Sequence, residues 1–127
     1  MGQPNIVIIN GGTNDANGPV DPSNAGTRMN NVLNALWEAD GMSGTCIMLS
    51  TLIPTTNANG QTYQDTINNQ YRALVQQRAA EGKCIYLAEM WPQGAQWLQF
   101  DTDYLATETP HVHPNVSVVN EHRVHSV

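Results

Sequence analysis

Residues 5–15 read NIVIINGGTND, and this stretch decides the predicted fold. A run of strand-forming apolar residues leads directly into two glycines and a short polar segment. In an open α/β sheet, the active site lies where a buried strand ends in such residues. Asn14 and Asp15 would then supply an amide donor and a carboxylate for chemistry. The alternative is a strand followed by a structural turn, because glycine, asparagine and aspartate are also common turn formers.

Two helices are predicted from apolar residues that recur at helical spacing. Asp21 and Pro22 suit the start of the first helix, with aspartate as the cap and proline in the first turn. Gly41 and Gly44 would end this helix, and Gly82 would end the second, which spans roughly 62–80. The buried faces would carry Met29, Val32, Leu33, Leu36 and Trp37 in the first helix, and Tyr63, Ile67, Tyr71, Leu74 and Val75 in the second.

Three buried strands are predicted around these helices. Residues 5–10, 46–51 and 84–88 are short apolar runs, and residues 11–21 read as a loop. The order strand, helix, strand, helix, strand makes two successive βαβ units, and right-handed crossovers then imply a parallel sheet. A chain of 127 residues is expected to form one domain. The sequence therefore predicts an α/β fold.

Composition excludes several classes of function. The formal net charge is -6, with only five lysines and arginines, so we expect no nucleic-acid partner. We also expect no membrane partner, because no long apolar run and no basic cluster is present. Charged residues make up only 13%, and neutral polar residues replace them, which is typical of a secreted microbial protein. The residues after Met1 do not form a signal peptide.

Cys46 and Cys84 each open a predicted strand, in adjacent βαβ units. Neighbouring parallel strands lie about 4.8 Å apart, which is compatible with a disulfide. Two buried thiols that act as small hydrophobic side chains are the alternative. No CxxC motif or Cys/His spacing is present, so we expect no metal site.

His113 lies in a late His-Pro-Asn segment, at residues 113–115. Loops that follow parallel strands share one edge of the sheet, so this segment and Asn14 would meet there. An asparagine amide and a histidine imidazole at one edge suit acyl transfer. Asn14 would donate to a developing oxyanion, and His113 would be the general base that activates a serine.

These segments resemble the SGNH-type (GDSL-like) ester hydrolases, and in particular the fungal carbohydrate-esterase branches related to acetyl xylan esterases. The matching pieces are residues 4–15, the strand end at 50–54, and 113–115. The resemblance covers roughly residues 4–115, which correspond to the C-terminal half of a typical domain of this family. Residues 1–115 would then form the C-terminal part of an SGNH hydrolase domain, and residues 116–127 an atypical, irregular tail.

The resemblance implies a flavodoxin-like, three-layer α/β/α fold, truncated to about three strands in this chain. It also implies that Asn14 contributes to the oxyanion hole, that His113 is the catalytic base and that no cofactor is needed. The substrates would be acyl or acetyl esters, with acetylated polysaccharides as an example, and the protein would be extracellular. Gly12 and Asp15 would support the loop around Asn14.

The chain also departs from the family pattern. The family nucleophile lies in a Gly-Asp-Ser motif, and no such motif occurs here. The family aspartate three residues before the histidine is replaced by Pro110, so Asp101, Asp103, Glu108 or a backbone carbonyl would orient His113 instead. We therefore expect the chain to lack activity by itself. The alternative is a non-catalytic half-domain that binds or assembles, with self-association through an open sheet edge.

Overall fold

The computed structural model describes residues 5–17, 21–90 and 110. Its strands form one parallel sheet in the order β1-β2-β3, as the two predicted βαβ units require. The α/β fold with three parallel strands is thus confirmed. The elements are β1 (Ile6–Ile9), α1 (Thr13–Asn17), a 3-10 turn (Pro22–Asn24), α2 (Ala25–Glu38), β2 (Cys46–Ser50), α3 (Ala58–Ala80) and β3 (Ile85–Ala88).

The strand register divides the side chains of the sheet between two faces. Ile9 is paired with Leu49, and Leu49 with Leu87, so these three side chains share one face. This face packs against α2 and α3, and its central members are buried completely. The described residues therefore form two layers of the expected α/β/α arrangement, with both long helices on the same side of the sheet.

The core lies between the sheet and these two helices. Leu33 of α2, Ile67 of α3 and the β2 residues Ile47 and Leu49 are all 0% exposed. Burying one such side chain stabilises the fold by about 1.5–3 kcal/mol relative to leaving it in water. The predicted buried faces are confirmed for most of their members. Leu36 and Tyr63 are half-buried, and Val32 is 49% exposed at the outer margin of the α2 stripe.

The start of the first long helix differs from its prediction. Asp21 does cap the segment, and its Oδ1 accepts a hydrogen bond of 2.9 Å from the Ser23 N–H. The three residues that follow Asp21 form a 3-10 turn, so α2 begins only at Ala25. The predicted loop at residues 11–21 was also wrong in part, because it contains the short helix α1. Five residues without an apolar stripe carry no helical periodicity that a sequence pattern could reveal.

Two helix boundaries also differ from their predicted positions. The second helix begins at Ala58 rather than near residue 62, since its first turn lacks the apolar residues that would have marked it. Gly82 does end this helix, with a φ of +88° and an N–H that donates to the Ala79 carbonyl at 3.0 Å. Helix α2 ends at Glu38, three residues before Gly41.

Cys46 and Cys84 form a disulfide bond, with Cα atoms 4.5 Å apart. The alternative of two buried thiols is therefore wrong. The bond joins β2 to β3 at their amino ends, the end of the sheet that lies opposite the segment containing Asn14. Among the described helices, none is long and apolar enough to cross a membrane.

Candidate active site

The carboxyl edge of the sheet brings together the segments that follow the three strands. Gly11 and Gly12 follow β1, Thr51 follows β2, and Glu89 follows β3. Parallel strands place these ends side by side, which is the usual position of a site in an open α/β sheet. Helix α3 supplies most of the side chains that hold the three segments in place.

A buried tyrosine supports the turn after β1. The Tyr71 hydroxyl donates a hydrogen bond of 2.9 Å to the Gly11 carbonyl, across 60 residues of sequence. Gly12 has a φ of +112°, and a methyl group at its Cα would lie 2.6 Å from Tyr71 Oη. Glycine is therefore required at this position both by backbone conformation and by the close approach of the tyrosine.

The ionisation of Tyr71 is shifted by its surroundings. The side chain is 1% exposed, and burial raises its pKa to about 12, with the negative charge of Asp15 acting in the same direction. A higher pKa keeps the hydroxyl protonated, so it remains a hydrogen-bond donor to Gly11 at neutral pH.

Asn14 lies in the short helix α1, directly behind the Gly-Gly turn, and its side chain is exposed. The helix is closed by a hydrogen bond of 2.9 Å from the Ala16 N–H to the Gly12 carbonyl. Asp15 binds Arg28 through an ion pair of 2.9 Å, and the same guanidinium donates to the Asp21 carbonyl at 2.8 Å. Tyr71 holds the turn before Asn14, and Arg28 holds Asp15 after it. The exposed Asn14 amide can therefore donate a hydrogen bond to a molecule at this edge of the sheet.

Amide side chains of α3 hold the segment after β2. Asn68 is 1% exposed, and its Oδ1 accepts a hydrogen bond of 2.8 Å from the Leu52 N–H. One turn earlier, the Gln64 amide donates to the Ile53 carbonyl. These bonds satisfy backbone groups that no strand partner could reach, so the loop after β2 is fixed to the helix.

Glu89 joins the ends of β2 and β3. Its carboxylate accepts two hydrogen bonds from Arg72, of 2.9 and 2.8 Å, and one of 3.0 Å from the Thr51 hydroxyl. The Thr51 hydroxyl oxygen in turn accepts a bond of 2.7 Å from the Met90 N–H. The hydrogen bonds to Glu89 raise the pKa of Arg72 above its ordinary value.

The sequence reasoning missed this cluster around Glu89. A charged residue directly after the third predicted strand was a usable signal, since it occupies the same position as the segment containing Asn14 does after the first strand. Arg72 carried no such signal, because it is one of two arginines among the many polar residues of a long helix.

The described part of the chain offers no activated serine at this edge. Ser50 is the nearest in sequence to a strand end, but it is 5% exposed and its hydroxyl donates to the Thr51 carbonyl at 3.1 Å. Ser43 is exposed, but it precedes β2 at the opposite end of the sheet. Within the described ranges, no three His, Cys, Asp or Glu side chains are grouped so as to hold a metal ion.

Several predicted site residues lie outside the described residues. These are His113 and the three candidates for its acidic partner, Asp101, Asp103 and Glu108. The tail at residues 116–127 also lies outside them. The structure thus describes the Asn14 side of the predicted site, and the roles of these other residues stay predictions.

Comparison with known proteins identifies the family. The model of the GDSL-like lipase/acylhydrolase family matches residues 2–117, which is most of the chain. No curated protein and no solved structure shows significant similarity to this chain. The match agrees with the parallel three-stranded fold and with the position of the Gly-Gly turn at the carboxyl edge. The chain belongs to the GDSL-like lipase/acylhydrolase family.

Proposed function

We propose that this chain is part of an ester hydrolase that works through a serine acyl-enzyme. The observation that carries the proposal is the exposed Asn14 amide, held behind the Gly11–Gly12 turn at the carboxyl edge of a GDSL-like sheet. Family membership indicates ester hydrolysis as the reaction class. An amide donor that is positioned before the reaction stabilises a developing oxyanion without reorganising, which is usually the largest single contribution to such catalysis.

Each residue has a distinct role in the proposed mechanism. Asn14 donates a hydrogen bond to the oxyanion of the tetrahedral intermediate. His113 accepts the proton of the attacking serine and returns it to the leaving alcohol. Asp101, Asp103 or Glu108 orients the imidazole. The attacking serine is not provided by a Gly-Asp-Ser motif within these 127 residues, so we infer that they do not hydrolyse esters alone.

Acyl or acetyl esters of carbohydrates are the proposed substrates, and an extracellular location is proposed with them. The resemblance to carbohydrate-esterase branches supports the substrate class. The disulfide between Cys46 and Cys84 supports the location, because disulfides persist mainly in oxidising compartments.

The first test is hydrolysis of p-nitrophenyl acetate by the purified chain, together with labelling by a fluorophosphonate probe. Neither turnover nor labelling is expected. Stoichiometric labelling with turnover would contradict the proposal that the nucleophile is missing, and mapping the labelled residue would identify the serine.

The second test adds a polypeptide that carries the Gly-Asp-Ser half of a GDSL-like domain. Recovered hydrolysis should disappear with His113→Ala and fall about 10²–10³-fold with Asn14→Ala. Asn31→Ala is the matched control, since Asn31 is an exposed asparagine on α2. An Asn14→Ala chain that supports full activity would rule out the oxyanion role.

A non-catalytic half-domain is the second candidate. It is favoured by the large apolar side chains that the sheet leaves exposed, because such a surface suits assembly more than catalysis. Complex formation with the complementing half but without recovered hydrolysis would support it.

A further inference from the structure

A negative charge lies directly beside the proposed oxyanion donor. Asp15 follows Asn14 in sequence and is the only charged residue in the described segment 5–17. Adjacent Cα atoms are about 3.8 Å apart, so an anion bound by the Asn14 amide would lie within about 10 Å of the Asp15 carboxylate. That is about the Debye length at an ionic strength of 0.1 M, so the two charges still interact. An uncompensated carboxylate here would oppose the negative charge that develops during ester hydrolysis.

Arg28, in the first turn of α2, binds this carboxylate. Its Nη2 and Nε atoms lie 2.9 and 3.3 Å from Asp15 Oδ2, and Nη2 also donates to the Asp21 carbonyl oxygen at 2.8 Å. These contacts hold the guanidinium between α1 and the start of α2. The Arg28 and Asp15 side chains are 39% and 25% exposed, so solvent moderates the effect of the pair on a neighbouring charge without removing it.

Tyr71 is a group at this edge that senses both charges. Its hydroxyl donates to the Gly11 carbonyl, three residues before Asn14. Burial raises the pKa of Tyr71 most, the negative charge of Asp15 raises it further, and the positive charge of Arg28 lowers it. The two side chains therefore have opposite electrostatic effects on the turn that precedes Asn14.

The charge of the whole chain makes a cation at this position more important. The net charge is -6, and only five lysines and arginines are present. The summed field of an acidic protein disfavours the formation of another negative charge. A guanidinium bound next to the oxyanion donor opposes that field where the reaction would take place.

We propose that Arg28 is a positioning residue for ester hydrolysis, which acts through Asp15. It compensates the charge of that carboxylate and holds it toward α2, so that Asn14 can stabilise an oxyanion. The inference rests on the proposed function and adds a residue to its machinery. The oxyanion carries more negative charge than the bound ester, so the compensation should act on the transition state and leave substrate binding unchanged.

The test uses the full chain complemented with the Gly-Asp-Ser half, with p-nitrophenyl acetate as substrate. Arg28→Gln should lower kcat about threefold at low salt with KM unchanged, and the loss should shrink at high salt. Arg28→Lys keeps the positive charge and should retain most of kcat. Asp15→Asn, alone or combined with Arg28→Gln, should leave kcat at or above the native value, because neither variant contains an uncompensated carboxylate.

Arg78→Gln is the matched control, because it removes the same charge from an ion pair in the last turn of α3. It should leave kcat unchanged. Equal losses in Arg28→Gln and Arg78→Gln would make the effect one of net charge and would overturn the proposal. A loss in Asp15→Asn as large as in Arg28→Gln, without recovery in the double variant, would also overturn it, because the pair would then be purely structural.

A second measurement uses the chain alone and separates this inference from the proposed function. The pKa of Tyr71, followed by NMR of carbon-labelled tyrosine, should rise in Arg28→Gln and fall in Asp15→Asn. A Tyr71 pKa unchanged in both variants would overturn the inference. If the complemented native chain does not hydrolyse the ester, the proposed function fails, and this titration alone decides whether Arg28 offsets the charge of Asp15. Far-UV circular dichroism shows that each variant is folded, and Asp15→Asn keeps the test valid if Arg28→Gln unfolds the chain.

Discussion

The two ends of the sheet are held together by different kinds of bond. At the amino end, the disulfide between Cys46 and Cys84 joins β2 to β3 covalently. At the carboxyl end, where Asn14 lies, hydrogen bonds from α3 and the ion pairs Arg72–Glu89 and Arg28–Asp15 hold the segments that follow the strands. The covalent bond therefore stabilises the fold at a distance from the proposed chemistry, while side chains of α3, together with Arg28 of α2, determine the geometry at the candidate site.

The largest expected effect is at the amino end. Replacing both cysteines by serine removes a crosslink between residues 38 apart, which should lower the free energy of unfolding by about 4 kcal/mol. Urea unfolding of the variant and of the untreated protein measures the difference. Treating the native protein with a thiol reductant should give the same loss, and a loss below 1 kcal/mol in both would show that the amino end does not depend on the bond.

Gly12→Ala is expected to have the next largest effect, at the carboxyl end. The added methyl group would meet Tyr71 Oη, and the positive φ is unfavourable for alanine, so we expect a loss of about 3 kcal/mol. Gly44→Ala is the control, because a methyl group there meets nothing within 4 Å. Equal losses in the two variants would contradict the tight packing inferred around Gly12.

The stability of the carboxyl end should depend on pH through Tyr71. Its pKa is about 12 in the folded chain and about 10 when unfolded, so its stabilising contribution is complete below pH 10 and is lost as the pH rises through 12. This difference between the folded and unfolded pKa corresponds to roughly 2.7 kcal/mol of the free energy of unfolding. Unfolding curves of Tyr71→Phe should lack this component between pH 10 and 12, whereas Tyr86→Phe, at an exposed tyrosine, should retain it. Identical pH profiles for Tyr71→Phe and the native chain would refute the assignment.

The smallest expected effect is at the ion pair. Glu89→Gln should cost about 1 kcal/mol, because the pair with Arg72 is partly exposed and is screened by solvent. Glu81→Gln, at the ion pair with Arg78 at the carboxyl end of α3, should cost less, because the Glu81 side chain is 45% exposed. Thermal unfolding at low and high salt measures the stability lost in each variant. A smaller loss of stability in Glu89→Gln than in Glu81→Gln would mean that the contacts of Thr51 with Glu89 and Met90 do not depend on the charge of Glu89.

The fold could be predicted from the sequence because its signals are local. Short apolar runs mark the strands, and apolar residues at helical spacing mark the two long helices, so both βαβ units can be predicted from the sequence alone. The short helix α1 was missed because its five residues, four polar and one alanine, are too few to show such spacing. Val32 was assigned to the core because it belongs to the apolar stripe, although it lies at the margin of that stripe and faces solvent.

The candidate site was predictable only in part. The motif around Asn14 could be identified from its residues, because its glycines and amide are adjacent in sequence. The residues that hold this motif in place could not be identified, because Tyr71 and Gly11 are 60 residues apart and only the folded chain shows that they are in contact. Glu89 had a signal in its position after β3, but Arg72 had none. The assignment of His113 as base stays a prediction.

The contacts that α3 makes at the carboxyl edge of the sheet have a consequence for protein engineering. Asn68, Tyr71 and Arg72 lie within two turns of one helix and reach all three strand ends. Substitutions among them should therefore combine non-additively, because a small rotation of the helix would displace every contact together. For the same reason, the Gly-Gly-Thr-Asn-Asp segment cannot be grafted alone onto another α/β scaffold. A transplant would keep its geometry only if α3 and Arg28 of α2 were moved with it.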